Sequence, residues 1–141
     1  MPFEILDHTA DIMLRITADT REGLCDEARL ALYAVVGDLH PARPLPPVDA
    51  PVIIRVQGAD FADVIHDWLG ELLFWLESRG VLCLPVGPFT VNDRHLAVPV
   101  TTAPLDPAAS RFDREVKAVT YHQLSAGLTE DGWAATVILD I

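Results

Sequence analysis

The sequence predicts an α+β fold: a mixed, mainly antiparallel sheet with two helices packed on one side, and residues 1–141 forming a single domain. Three observations predict it. The elements run strand, helix, strand, helix and then a series of strands, an order that groups rather than alternates. Two windows carry apolar residues at helical period between a capping residue and a glycine stop. After Gly80 the pattern changes to short β segments separated by turn signals.

The first strand starts near Ile12, where Ile12, Leu14 and Ile16 alternate with Met13, Arg15 and Thr17 up to the cap signal Asp19-Thr20. A helix follows, with Leu24, Ala28, Ala31, Leu32 and Val35 on one face and Gly37 as its stop. Prolines at 41, 44, 46, 47 and 51 then forbid helix and central strand, so this stretch reads as an extended connection. Val52 to Val56 is a strand closed by Gly58. The second helix opens at Asp60, carries Asp63 in its first turn, and runs to Gly80. Its stripe is Ile65, Trp68, Leu69, Leu72, Leu73 and Leu76, wide enough to cover a sheet face. Short strands are expected over roughly 81–84, 88–92 and 94–101, with Asn92-Asp93 as a hairpin turn and a loop over 102–113. Asp131-Gly132 is a further turn, and Trp133 to Asp140, apolar on both faces, is the central strand.

The stretch from Arg114 to Leu124 organises the functional reading. Its β-branched and aromatic residues predict a strand with Glu115, Lys117, Val119 and Tyr121 on one face and Val116, Ala118, Thr120 and His122 on the other. An ammonium in mid-strand is costly to bury unless a carboxylate meets it. Asp11 and Asp140, at opposite ends of the chain and both flanked by apolar strand sequence, are the candidate partners. Asp140 is followed by Ile141, whose terminal carboxylate would add to an all-oxygen donor set suited to Ca²⁺ or Mg²⁺ rather than zinc. Spacing alone fits three arrangements: a cation site, a structural ion pair of Asp11 and Asp140 with Lys117, or two carboxylates that merely cap the ends of their strands. His8 and His122 are weaker candidates, since no Ser or Cys lies near them as a nucleophile.

Composition narrows the function classes. The chain has 141 residues, a hydrophobic content of 50% and a formal net charge of −11. It can bury a core without disulfides, and its acidity argues against tight contact with a nucleic-acid backbone and for cations or basic proteins as partners. No apolar run is long enough for a membrane span and no export signal is evident, so a cytoplasmic location is expected. Cys25 and Cys83 lack CxxC spacing and are expected to be core residues without a redox role. The phosphate-binding, hydrolase, zinc and EF-hand signatures are absent.

Four segments together carry a resemblance: His8-Thr9-Ala10-Asp11-Ile12, Asp67-Trp68-Leu69-Gly70-Glu71-Leu72-Leu73, Glu115 to His122, and Val137-Ile138-Leu139-Asp140-Ile141. In this order, spanning nearly the whole chain, they resemble the archease family. Met13, where many relatives have a small residue, and the proline-rich segment depart from the family pattern. The resemblance implies a non-enzymatic cofactor of the GTP-dependent ligase that joins RNA 3′-phosphate and 5′-hydroxyl ends in tRNA splicing and RNA repair. It implies promotion of ligase guanylylation and multiple turnover, a calcium site at Asp11, Asp140 and Ile141, and Lys117 as the functional lysine. Two other classes stand beside it: a metal-dependent hydrolase using Asp11 and Asp140 with His8 or His122 as base, and a purely structural interaction module or chaperone.

Overall fold

Two helices and two antiparallel sheets share one hydrophobic cluster in the computed structural model, which describes residues 2–7, 11–47 and 50–141. His8, with Thr9 and Ala10, lies outside the described residues.

The first sheet is built around the end of the chain. Strand β1 (Phe3–Asp7) pairs with β2 (Asp11–Ala18), and β2 pairs along its whole length with β11 (Gly132–Asp140). The other edge of β11 is shared. β10 (Ser125–Thr129) pairs with its first half, and β9 (Ala118–Val119) with Leu139 and Asp140. The second sheet has the order β4 (Val52–Gln57), β7 (His95–Pro104), β5 (Val81–Pro85), with β6 (Thr90–Val91) also on β7. A two-stranded ribbon joins β3 (Gly37–Asp38) to β8 (Arg111–Phe112). The α+β class with two helices and mainly antiparallel pairing is as expected. The strands divide between separate sheets, and α2 packs against both.

Helix α1 (Arg21–Val36) is capped by Thr20, whose side chain accepts a hydrogen bond from the Gly23 amide, and ends at Gly37. Gly37 is required by close approach: a Cβ there would lie 1.9 Å from the Arg111 carbonyl oxygen and part β3 from β8. Helix α2 (Phe61–Arg79) is capped by Asp60, which accepts from the Asp63 amide, and closes at Gly80 with φ 64°, the left-handed turn that glycine adopts without strain. The expected stripes of both helices are the buried faces, except that Leu76 is only half-buried. Trp68, fully buried, donates from Nε1 to the Cys25 carbonyl at 2.9 Å and so ties α2 to α1.

The strand expected over 114–124 is the main correction. Only Ala118–Val119 enters the sheet: β10 occupies the edge of β11 from Gly132 to Thr136, and β9 pairs with Leu139 and Asp140 at its end. Lys117 is consequently exposed rather than buried in mid-strand, and the cost of an interior ammonium does not arise. The expected loop over 102–113 is partly strand, since β7 runs on to Pro104 and β8 pairs with the end of α1 through β3.

Both cysteines are free and buried, as expected. Burial pushes the Cys25 thiol up to about 12 and the Cys83 thiol up to about 11 from an ordinary 9.0. Their contribution to stability is therefore intact below pH 9.0 and is lost as pH rises through about 11 and 12. At neutral pH a maleimide is expected to leave both thiols unlabelled in the native protein and to modify both after unfolding in urea. Labelling of the native fold at either position contradicts this.

Candidate functional site at the end of the central strand

The ladder between β2 and β11 ends on the register pair Asp11 and Asp140. Residues directly opposite in an antiparallel pair share a face with their Cβ atoms about 4.5–5.5 Å apart, and two carboxylates so placed repel unless a cation offsets them. Asp140 is exposed and Asp11 half-buried, while the residues before them in the ladder, Leu139 and Ile12, are fully buried. The pair thus sits where the apolar core gives way to solvent. Residues more than a hundred positions apart in sequence meet there because the first long strand and the last are neighbours.

The segment carrying Lys117 is clipped onto the same strand end. The Lys117 amide donates to the Asp140 carbonyl at 2.8 Å, the Thr120 amide donates to the Ile138 carbonyl at 3.0 Å, and the Thr120 hydroxyl donates to that same oxygen at 2.9 Å. Ala118 is the residue opposite Asp140. The Lys117 side chain is exposed. It makes no ion pair with a described residue. The structure brings Asp11, Asp140, Ile141 and the Lys117 backbone to one place without a direct Lys117 to aspartate salt bridge.

Other candidates fall away from this point. Glu115 and His122 are exposed, and the His122 amide donates to the Thr120 hydroxyl oxygen at 3.3 Å. Tyr121, expected to flank the Lys117 ammonium, instead stacks on His66 of α2 with ring centroids 3.8 Å apart.

His66 is the residue that the sequence reading passed over. It lies with Asp63 and Asp67 in a group compact enough to surround an ion. Its Nδ1 is 2.9 Å from an Asp67 carboxylate oxygen and its Nε2 is 2.8 Å from the Val119 carbonyl oxygen. Both ring nitrogens thus have an oxygen partner within hydrogen-bond distance, one on the neighbouring residue and one on β9. Asp63 is also engaged, accepting from the Ala59 amide at 2.9 Å. The cluster fastens α2 to β9 and holds the Lys117 segment against the sheet. The only sequence signal was an adjacent His-Asp pair on a helix, and its role depends on where Tyr121 and Val119 fold.

The model of the Archease protein family (MTH1598/TM1083) matches residues 3–141. The chain belongs to the archease family. Among curated family proteins, Protein archease of Methanopyrus kandleri is 35% identical with all of both chains covered, and that of Methanosarcina barkeri is 32% identical over 99% of this chain and 95% of its own. The solution structure of Methanobacterium thermoautotrophicum Protein 1598 aligns with a TM-score of 0.69 at 29% identity, covering 99% of each chain. A crystal structure from Thermotoga maritima, described as an archease and possible chaperone, aligns with a TM-score of 0.63 at 22% identity over 96% of this chain and 94% of its own, a likeness of fold. Among the described residues, no archease helix here is long and apolar enough to cross a membrane.

Proposed function

We propose that this archease is a metal-binding protein cofactor of a GTP-dependent 3′-phosphate RNA ligase, promoting its guanylylation and multiple turnover in tRNA splicing or RNA repair, with no turnover of its own. The observation that carries the reading is the register pair: Asp11 and Asp140 face each other across β2 and β11, with Lys117 hydrogen-bonded through its backbone to Asp140. Family membership supports the same reading.

The donor set fits a hard cation. Two facing carboxylates at the wet end of a ladder supply anionic oxygen, and Ile141 beside them is the third candidate donor. Bound there, Ca²⁺ would neutralise the facing charges and present a fixed positive centre to the partner. Asp11 and Asp140 would hold that position, the β2 to β11 ladder fixes their register, and Lys117 offers a second, exposed cation from the neighbouring segment. The strongly acidic chain suits a basic protein partner and disfavours direct tight binding to RNA.

The test is a guanylylation assay with purified cognate ligase, GTP and a manganese or magnesium salt, followed over several turnovers. Addition of the protein is expected to raise both the rate of covalent guanylylation and the number of joined ends per ligase. Unchanged ligase behaviour overturns the reading. Phosphodiesterase activity of the isolated protein that disappears in Asp11→Ala would replace it with a metal-dependent hydrolase.

A further inference from the structure

An apolar groove of about 530 Å³ opens at the C-terminal ends of the two helices, a short way along the chain from Lys117. Its floor is Val36 of α1, Leu73 and Leu76 of α2, Leu105 and Val116, with the half-exposed ring of Phe112 at its side. Its rim is acidic. Glu77, Asp113 and Glu115 stand there against one guanidinium, Arg114.

The charges of that rim are not equally available. Arg114 donates from Nη1 to the Val35 carbonyl at 3.1 Å, so its cation serves the C-terminal carbonyls of α1, a helix with no basic residue in its last turn. Asp113 is held by Arg111 at 2.9 Å, which also keeps its carboxyl below the usual carboxylate range. Glu77 and Glu115 are exposed and make no ion pair with a described residue. Two uncommitted carboxylates over an apolar floor match an apolar side chain flanked by Lys or Arg. A second copy of this chain fits poorly, because it would bring another net −11 against the same acidic rim.

We propose that this groove is the docking surface for a basic segment of the partner ligase, an apolar anchor seated on Leu73, Leu76 and Val116 with its neighbouring cations on Glu77 and Glu115. The inference rests on the ligase-cofactor reading and adds to it the place of contact. Val116 lines the groove and Lys117 is the next residue, so one partner surface can reach both. The arrangement has the anatomy of a specific interface, an apolar centre within a polar rim that steers the approach.

The experiment measures the dissociation constant of the cognate ligase for the full chain, by fluorescence anisotropy over a range of salt concentrations. It compares wild type with Glu77→Lys/Glu115→Lys and with Phe112→Ala, all at exposed positions, and checks each fold by its urea midpoint. The double charge reversal is expected to weaken binding roughly tenfold or more at low salt and to flatten the salt dependence. Phe112→Ala is expected to weaken binding similarly at all salt concentrations. Wild-type affinity in both variants overturns the groove and leaves the cofactor reading standing. No complex between ligase and wild-type protein overturns both.

Discussion

Calcium is expected to raise the melting temperature of the wild-type protein, and Asp140→Asn is expected to remove that rise. Asp11 and Asp140 become register partners through folding alone, since they belong to the first long strand and the last. The unfolded chain lacks this pairing, so a cation bound by the proposed site would stabilise only the native state. At a hundred times its dissociation constant it contributes about 2.7 kcal/mol, on the order of 5–10 °C for a chain of this length. Asp11→Asn is expected to behave as Asp140→Asn does. Glu115→Gln, an exposed acidic residue outside the register pair, is expected to keep the full response. Differential scanning calorimetry with calcium, and again after chelation, reads all four proteins. A calcium response that survives both aspartate substitutions rules out this pair as the site.

The helices were legible in the sequence because their determinants are local. Thr20 and Asp60 at the starts, Gly37 and Gly80 at the ends, and one apolar stripe each were sufficient to bound them to within a residue or two. The final strand was legible as central because it is apolar on both faces, and it does pair on both edges. What the sequence concealed depends on which strands become neighbours. Residues 114–124 have good β propensity, but β10 takes the first half of that edge of β11 and their own pairing there is confined to two positions. The ribbon of β3 with β8 has two residues in each strand, too few to announce itself. The meeting of Asp11 with Asp140 could be suspected from their apolar flanks, whereas their direct register could not. His66 was hidden for the same reason: its partners Val119 and Tyr121 lie more than fifty residues away.

Lys117→Ala is expected to leave stability within about 0.5 kcal/mol of wild type while abolishing stimulation of the ligase. The structure separates the two roles that the residue could have had. A buried lysine facing carboxylates would cost about 3–5 kcal/mol to remove, because its partners would be left as uncompensated charges. Lys117 is exposed, makes no ion pair with a described residue, and anchors its segment through its backbone amide to the Asp140 carbonyl, a bond that alanine keeps. His66 and Thr120 hold the same segment from either side of the chain and are untouched by the change. No ion pair among the described residues depends on the ammonium, so its removal is expected to be felt in ligase stimulation rather than in stability. A urea melt and a ligase guanylylation assay on the one variant test both halves. A large loss of stability returns Lys117 to a structural role, and a folded variant that stimulates the ligase normally removes it from the site.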